Sequence, residues 1–203
     1  GIQQDLTEFT SFSCDEAVLT PGLRVNYIPT GCPTGNLNLV SAASVKGPFA
    51  IDLPLTGEGI EDRTGGSRRL YKIVLTFNNM LTSVDDVATS CGRVKQATVD
   101  SGDAHRLIVD LAGVTCTAED VTLTLTGVHD DQGGTLDTSL TFGLLVGDVT
   151  GNATVNTADV RTTQDAVGQE TNQDNFRADV NEDGQITRAD VTTVKGQVGN
   201  RLP

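Results

Sequence analysis

Tryptophan is absent from this chain, tyrosine occurs only as Tyr27 and Tyr71, and histidine only as His105 and His129. Sugar-binding sandwiches stack sugar faces on exposed rings, so the missing aromatics argue against a carbohydrate platform; the six phenylalanines are better placed in a core. Neither histidine lies in a nucleophile motif, and the four cysteines contain no CxxC pair. Neither a recognisable nucleophile motif nor zinc-ligand spacing is therefore expected to operate here. No apolar run reaches the roughly 18 residues that a membrane-spanning helix needs. Basic charge is scarce as well: 14 Lys and Arg face 27 Asp and Glu, for a net charge of −13. The acid excess is shared, with 18 acidic and 9 basic side chains up to residue 146 and 9 and 5 beyond it. Both parts repel phosphate, which makes nucleic acid a poor partner.

What is present is a repeat. GDVTGNATVNTADV at residues 147–160 recurs as ADVNEDGQITRADV at 178–191, an offset of 31 residues. A hard divalent cation such as calcium takes six or more oxygens, and alternate residues of a tight loop can aim carboxylate, amide, hydroxyl and backbone oxygens at one centre. In the second copy Asp179, Asn181, Asp183, Gln185, Thr187 and Asp190 fall at loop positions 1, 3, 5, 7, 9 and 12, with Gly184 at the sharp turn of position 6. In the first copy the same positions are Asp148, Thr150, Asn152, Thr154, Asn156 and Asp159. That loop is poorer, because it offers two carboxylates against three and has Ala153 where the turn favours glycine. Calcium is the expected cofactor, bound more weakly by the first loop. After each loop the apolar positions Val160, Thr163 and Val167, and then Val191, Val194 and Val198, continue at helical spacing. The expectation is one short helix per loop, with the helices packed on each other and on Phe176, and the loops paired through Val155 and Ile186.

These residues resemble a type I dockerin, whose two loop-plus-helix repeats lack the entering helix of a full EF-hand and carry aspartate at position 12. The resemblance implies that calcium folds residues 147–203 as a small paired F-hand domain. It also implies that one helical face docks on a cohesin, a β-sandwich partner, outside the cell. The implied contact positions are Thr157, Ala158, Gln164, Arg188, Ala189 and Lys195, which differ from the family's familiar serine-threonine and lysine-arginine pairs.

Upstream, short runs rich in Val, Ile, Leu, Thr and Phe are separated by Gly, Asp, Asn and Pro. They are residues 37–45, 49–55, 70–77, 106–111, 121–128 and 139–146. The spacing reads as a mainly β fold, an antiparallel sandwich over 39–146. The strand 121–128 with its Asp- and Gly-rich turn is similar to the last hairpin of bacterial immunoglobulin-like domains. Residues 1–38 read as an extended lead-in that completes the core or as a strand added to a neighbouring subunit. Cys14, Cys32, Cys91 and Cys116 allow three pairings, of which 14 with 32 and 91 with 116 each bracket a strand-turn-strand unit.

The sequence thus points to a non-catalytic protein of the cell surface or exterior, with calcium in a structural role. Its protein partner is either further copies of itself, joined head to tail into a homo-oligomer or filament, or a cohesin-like domain on another protein. An accessory role in a polysaccharide-degrading system is a further alternative. Chelation is expected to melt 147–203 and leave the sandwich folded.

Overall fold

A computed structural model describes residues 36–57 and 59–203. Cys14, Cys32 and the proposed strand donation from the first residues lie outside this range. Among the described residues nine strands precede two helices: β1 (Leu39–Lys46), β2 (Phe49–Asp52), β3 (Ile60–Glu61), β4 (Tyr71–Phe77), β5 (Leu81–Thr89), β6 (Arg93–Val99), β7 (Arg106–Ala112), β8 (Glu119–Asp130), β9 (Thr135–Leu144), α1 (Thr157–Ala166) and α2 (Arg188–Gln197). A single 3-10 turn, Phe176–Ala178, separates the helices.

The strands form a sandwich of a five-stranded sheet, ordered β2-β1-β4-β7-β6, and a four-stranded sheet, ordered β3-β9-β8-β5. Alternation decides which side chains meet between them. In β4, Tyr71, Ile73, Leu75 and Phe77 are buried while Lys72 points out, and in β8 Val121, Leu123 and Leu125 are buried while Thr124 and Thr126 are exposed. The layout is compatible with the immunoglobulin-like sandwich expected, with one departure. β3 pairs parallel to β9, so the smaller sheet is mixed rather than wholly antiparallel. The six apolar runs all became strands; β3, β5 and β6 were not anticipated. β5 and β6 are edge strands whose charged residues Asp85, Asp86, Arg93 and Lys95 blur the alternation. Cys91 and Cys116 are bonded, their Cα atoms 6.4 Å apart, and tie the β5–β6 turn to the segment before β8. By loop-closure arguments such a bridge contributes about 3 kcal/mol.

The two repeats keep their 31-residue offset in three dimensions. The Gly168 N–H donates to the Ile186 carbonyl, and Gly199 N–H donates to the Val155 carbonyl, both at 2.9 Å. The bridges Glu170–Gln185 and Thr154–Arg201 obey the same relation. Val155 and Ile186 therefore pair not with each other, as the sequence suggested, but each with the segment that follows the opposite helix. Their side chains still meet in one core with Val149, Ala166, Val180 and Val194. Val167 and Val198 are not on the packing faces. They are the C-terminal caps of the helices and stand 38% and 47% exposed, and Ala166 takes the inward place in α1.

Phe176 also departs from expectation. It belongs to the sandwich core, stacked on Phe49 of β2 with ring centroids 5.2 Å apart, and the Arg63 guanidinium lies over its ring at 5.8 Å from the centroid. A ring of this size buries more apolar surface against the sheet edge than the small residues of the two helices could cover. In exchange, Ile60 of β3 packs in the core of the repeats, and Leu202 closes on Gly143 of β9 so tightly that a Cβ at Gly143 would collide with it. Phe176→Ala should accordingly cost about 3 kcal/mol in chemical denaturation, whereas Val198→Ala should stay within about 0.5 kcal/mol; equal effects would contradict this assignment of the interface.

Candidate metal centre

Each loop is organised by its first and last aspartates. Asp148 Oδ1 and Oδ2 accept the Asn152 and Ala153 N–H groups at 3.0 and 2.8 Å, and Asp179 accepts those of Asp183 and Gly184 at 3.1 and 3.0 Å. At the other end Asp159 Oδ1 accepts the Thr150 N–H and Oδ2 the Asn156 N–H, and Asp190 does the same for Asn181 and Thr187. Asp159 and Asp190 are also the third residues of α1 and α2, so each completes a capping box with Asn156 or Thr187 as N-cap. Position 12 of the loop and the start of the helix are one structural unit.

The turn chemistry agrees. Gly184 has φ of 89° and Ala153 at the equivalent place φ of 64°, a left-handed conformation that costs alanine about 1 kcal/mol. Position 4 is left-handed too, with Gly151 at 69° and Glu182 at 58°. The sequence reading passed over that position, although glycine in one copy against glutamate in the other was a signal available in the alignment.

Asp148, Asp159, Asp179 and Asp190 are buried, and no lysine or arginine side chain forms an ion pair with them among the described residues. Burial, reinforced by Asp159, raises the Asp148 carboxyl above its ordinary range, and burial, reinforced by Asp190 and Asp183, does the same to Asp179. Backbone N–H groups oppose both shifts without cancelling them. Crowded, desolvated carboxylates of this kind call for a cation. No group of three His, Cys, Asp or Glu side chains converges among the described residues. The remaining donors would be the Thr150, Asn152, Asn181 and Asp183 side chains and the backbone oxygens of Thr154 and Gln185, an all-oxygen set that suits a hard ion. Asn156 and Thr187 at position 9 are engaged as caps, accepting from Ala158 and Ala189. The contact positions implied by the resemblance, Thr157, Ala158, Gln164, Arg188, Ala189 and Lys195, are all exposed on α1 and α2.

The sandwich reaches both loops through residues that the sequence did not single out. Arg63 binds Glu61 through two nitrogens, at 2.8 and 2.7 Å, and lies 3.7 Å from Glu182, which also pairs with Lys46 at 3.1 Å. Arg177 donates to the carbonyls of Ile60 and Asp148 and lies 3.2 Å from Asp62. Asp62 is fully buried, and neither of its oxygens has an aligned hydrogen bond among the described residues. Burial pushes its carboxyl well above the usual range against the pull of Arg177.

An oxygen-lined loop occurs twice across a pseudo-twofold, each copy leading into one helix, so the arrangement offers two candidate sites for a hard cation. Residues 146–199 match the type I dockerin domain family, a calcium-binding, protein-docking module. No curated protein matches the chain.

Asp179→Ala and Asp190→Ala should each abolish tight calcium binding at the second loop in calorimetric titration, while Asp148→Ala should remove a weaker event; equal losses would contradict the ranking. The pH dependence has a defined sign. Because the cation-free pKa values of Asp148 and Asp179 are raised, their contribution to stability is present in acid and lost as pH rises through those values. Calcium requires the ionised forms, so protons compete with it. The rise in melting temperature produced by calcium should therefore shrink between about pH 7 and about pH 5, and a rise that grows in acid would contradict this.

Proposed function

We propose that this chain is a non-catalytic, extracellular assembly protein whose calcium-ordered repeat pair presents the exposed face of α1 and α2 to a protein partner. The carrying observation is the charge of that face. Of the five basic residues beyond residue 146, Arg161, Arg188 and Lys195 lie on it, and Arg188 and Lys195 have no acidic partner among the described residues. In a chain of net charge −13 this is a locally basic surface, set at the start of each helix by the loop that calcium closes. His105 and His129 pair with the surface carboxylates Asp103 and Asp85, an ordinary arrangement at strand ends, so no catalytic step is assigned to them.

Two partners fit. A cohesin-like domain on another protein is the partner that the dockerin match supports. A second copy is supported by the sandwich itself. β5, β8 and β9 carry Asp85, Asp86, Glu119, Asp120, Asp130 and Asp137 and no lysine or arginine, whereas β1, β4, β6 and β7 carry Lys46, Lys72, Arg93, Lys95 and Arg106. The outer side of the smaller sheet is rich in threonine and serine and exposes Asp86, Asp120 and Asp137, and so complements the basic helical face. A contact between two different surfaces of identical chains propagates head to tail as a filament unless the rotation closes a ring.

Electron microscopy in millimolar calcium and in excess chelator separates the two. Calcium-dependent filaments, lost in Arg188→Glu/Lys195→Glu and in Asp86→Lys/Asp120→Lys, support self-assembly. One-to-one pairs on mixing the two variants would identify the surfaces, since each retains the face that the other lacks. Dispersed particles in both solutions would point to the cohesin-like partner, and helices that form and bind equally without calcium would overturn the reading as a whole.

A further inference from the structure

Residues 61–64 grip the chain where it enters the first calcium loop and touch the second loop directly, and three of the four are buried. Toward the first loop, the Gly147 N–H donates to the Asp62 carbonyl at 2.8 Å and the Leu145 N–H to the Glu61 carbonyl at 3.0 Å, which fixes the chain as it enters Asp148. The Asp62 carboxylate faces Arg177, and Arg177 in turn donates to the backbone oxygen of Asp148 at 3.3 Å. Toward the second loop, the Thr64 N–H donates to the Val180 carbonyl at 2.9 Å, one residue after Asp179. Arg63 and Lys46 hold the carboxylate of Glu182, whose side chain is nearly buried although its position in the loop supplies no cation ligand. Glu182 occupies a left-handed backbone conformation there, one that glutamate adopts only when its surroundings impose it.

We propose that Asp62 and the Arg63–Glu182 pair are positioning residues for the two calcium loops, so that the sandwich sets the calcium affinity of the repeats. This rests on the calcium reading given above. Asp62 acts through Arg177 on the backbone of Asp148. Arg63 and Lys46 act through Glu182 on the backbone between Asn181 and Asp183. Each grip holds a loop near its first ligands before the ion arrives, and a preorganised loop loses less freedom on binding. Because coupling is reciprocal, calcium in turn tightens the repeats on the sandwich.

The test is calorimetric titration of the whole chain with calcium chloride, in Asp148→Ala and Asp190→Ala backgrounds that each leave one loop intact. Glu182→Gln should weaken the second loop about tenfold and leave the first within about twofold. Asp62→Asn should weaken the first by about fivefold and leave the second within the same limit. Lys46→Met, at the surface, and Arg177→Lys, which keeps the charge but loses the fork, are milder variants that should act on the second and first loops respectively. Rescue of loop 1 affinity in Asp62→Glu would mark the carboxylate itself as the positioning group. A fall in melting temperature with both affinities unchanged would overturn the proposal and leave these residues purely structural. Equal weakening of both loops by every variant would also overturn it, because long-range charge alone would explain the result. An intact chain that takes up no calcium would instead refute the calcium reading on which the proposal stands.

Discussion

Four buried aspartates that have no side-chain cation among the described residues are the constraint from which the rest of the C-terminal part follows. Asp148, Asp159, Asp179 and Asp190 have their oxygens turned toward backbone N–H groups inside two loops, and those bonds alone leave Asp148 and Asp179 in raised-pKa environments. A buried carboxylate that is paired only with dipoles is costly, and bringing a second one beside it is more so. A divalent cation turns that repulsion into attraction. The same carboxylates cap the helices, so the electrostatics of the loops and the existence of α1 and α2 are one problem. A helix of 10 residues is marginal alone, and its N-terminus here depends on the group that the ion would hold.

The second level is the seam between sandwich and repeats. A free module joined by a linker would expose polar residues at the junction. This junction buries Phe176 against Phe49, seats Leu202 on Gly143 and closes Asp62, Arg63, Arg177 and Glu182 in contact across it. Charged groups removed from water persist in such a place only when partnered, so the seam favours one arrangement of the two parts over others. The exposed faces of α1 and α2 point elsewhere and remain free for a partner.

Much of this was legible in the sequence because it is local. The 31-residue offset, the aspartates at positions 1 and 12, the left-handed turn at position 6 and the bonded pair Cys91–Cys116 follow from short-range spacing. The six apolar runs became strands for the same reason. What escaped is non-local or polar. β5 and β6 cover one face only in part while carrying charge on the other, β3 is two residues long, and Phe176 looks like a helix-packing residue until β2 supplies a ring to stack on. Asp62, Arg63 and Glu182 had no motif to announce them, since their meaning arises only when segments more than a hundred residues apart meet.

Hydrogen exchange at the amides of Asn152, Ala153, Asp183 and Gly184, in calcium and in chelator, bears most directly on the claim that a cation holds the loop carboxylates and through them the repeat pair. Those N–H groups are the ones bonded to Asp148 and Asp179. The account predicts strong protection in calcium and its loss in chelator, with the central amides of β4 and β7 protected in both. Equal protection of the loop amides with and without calcium would contradict it.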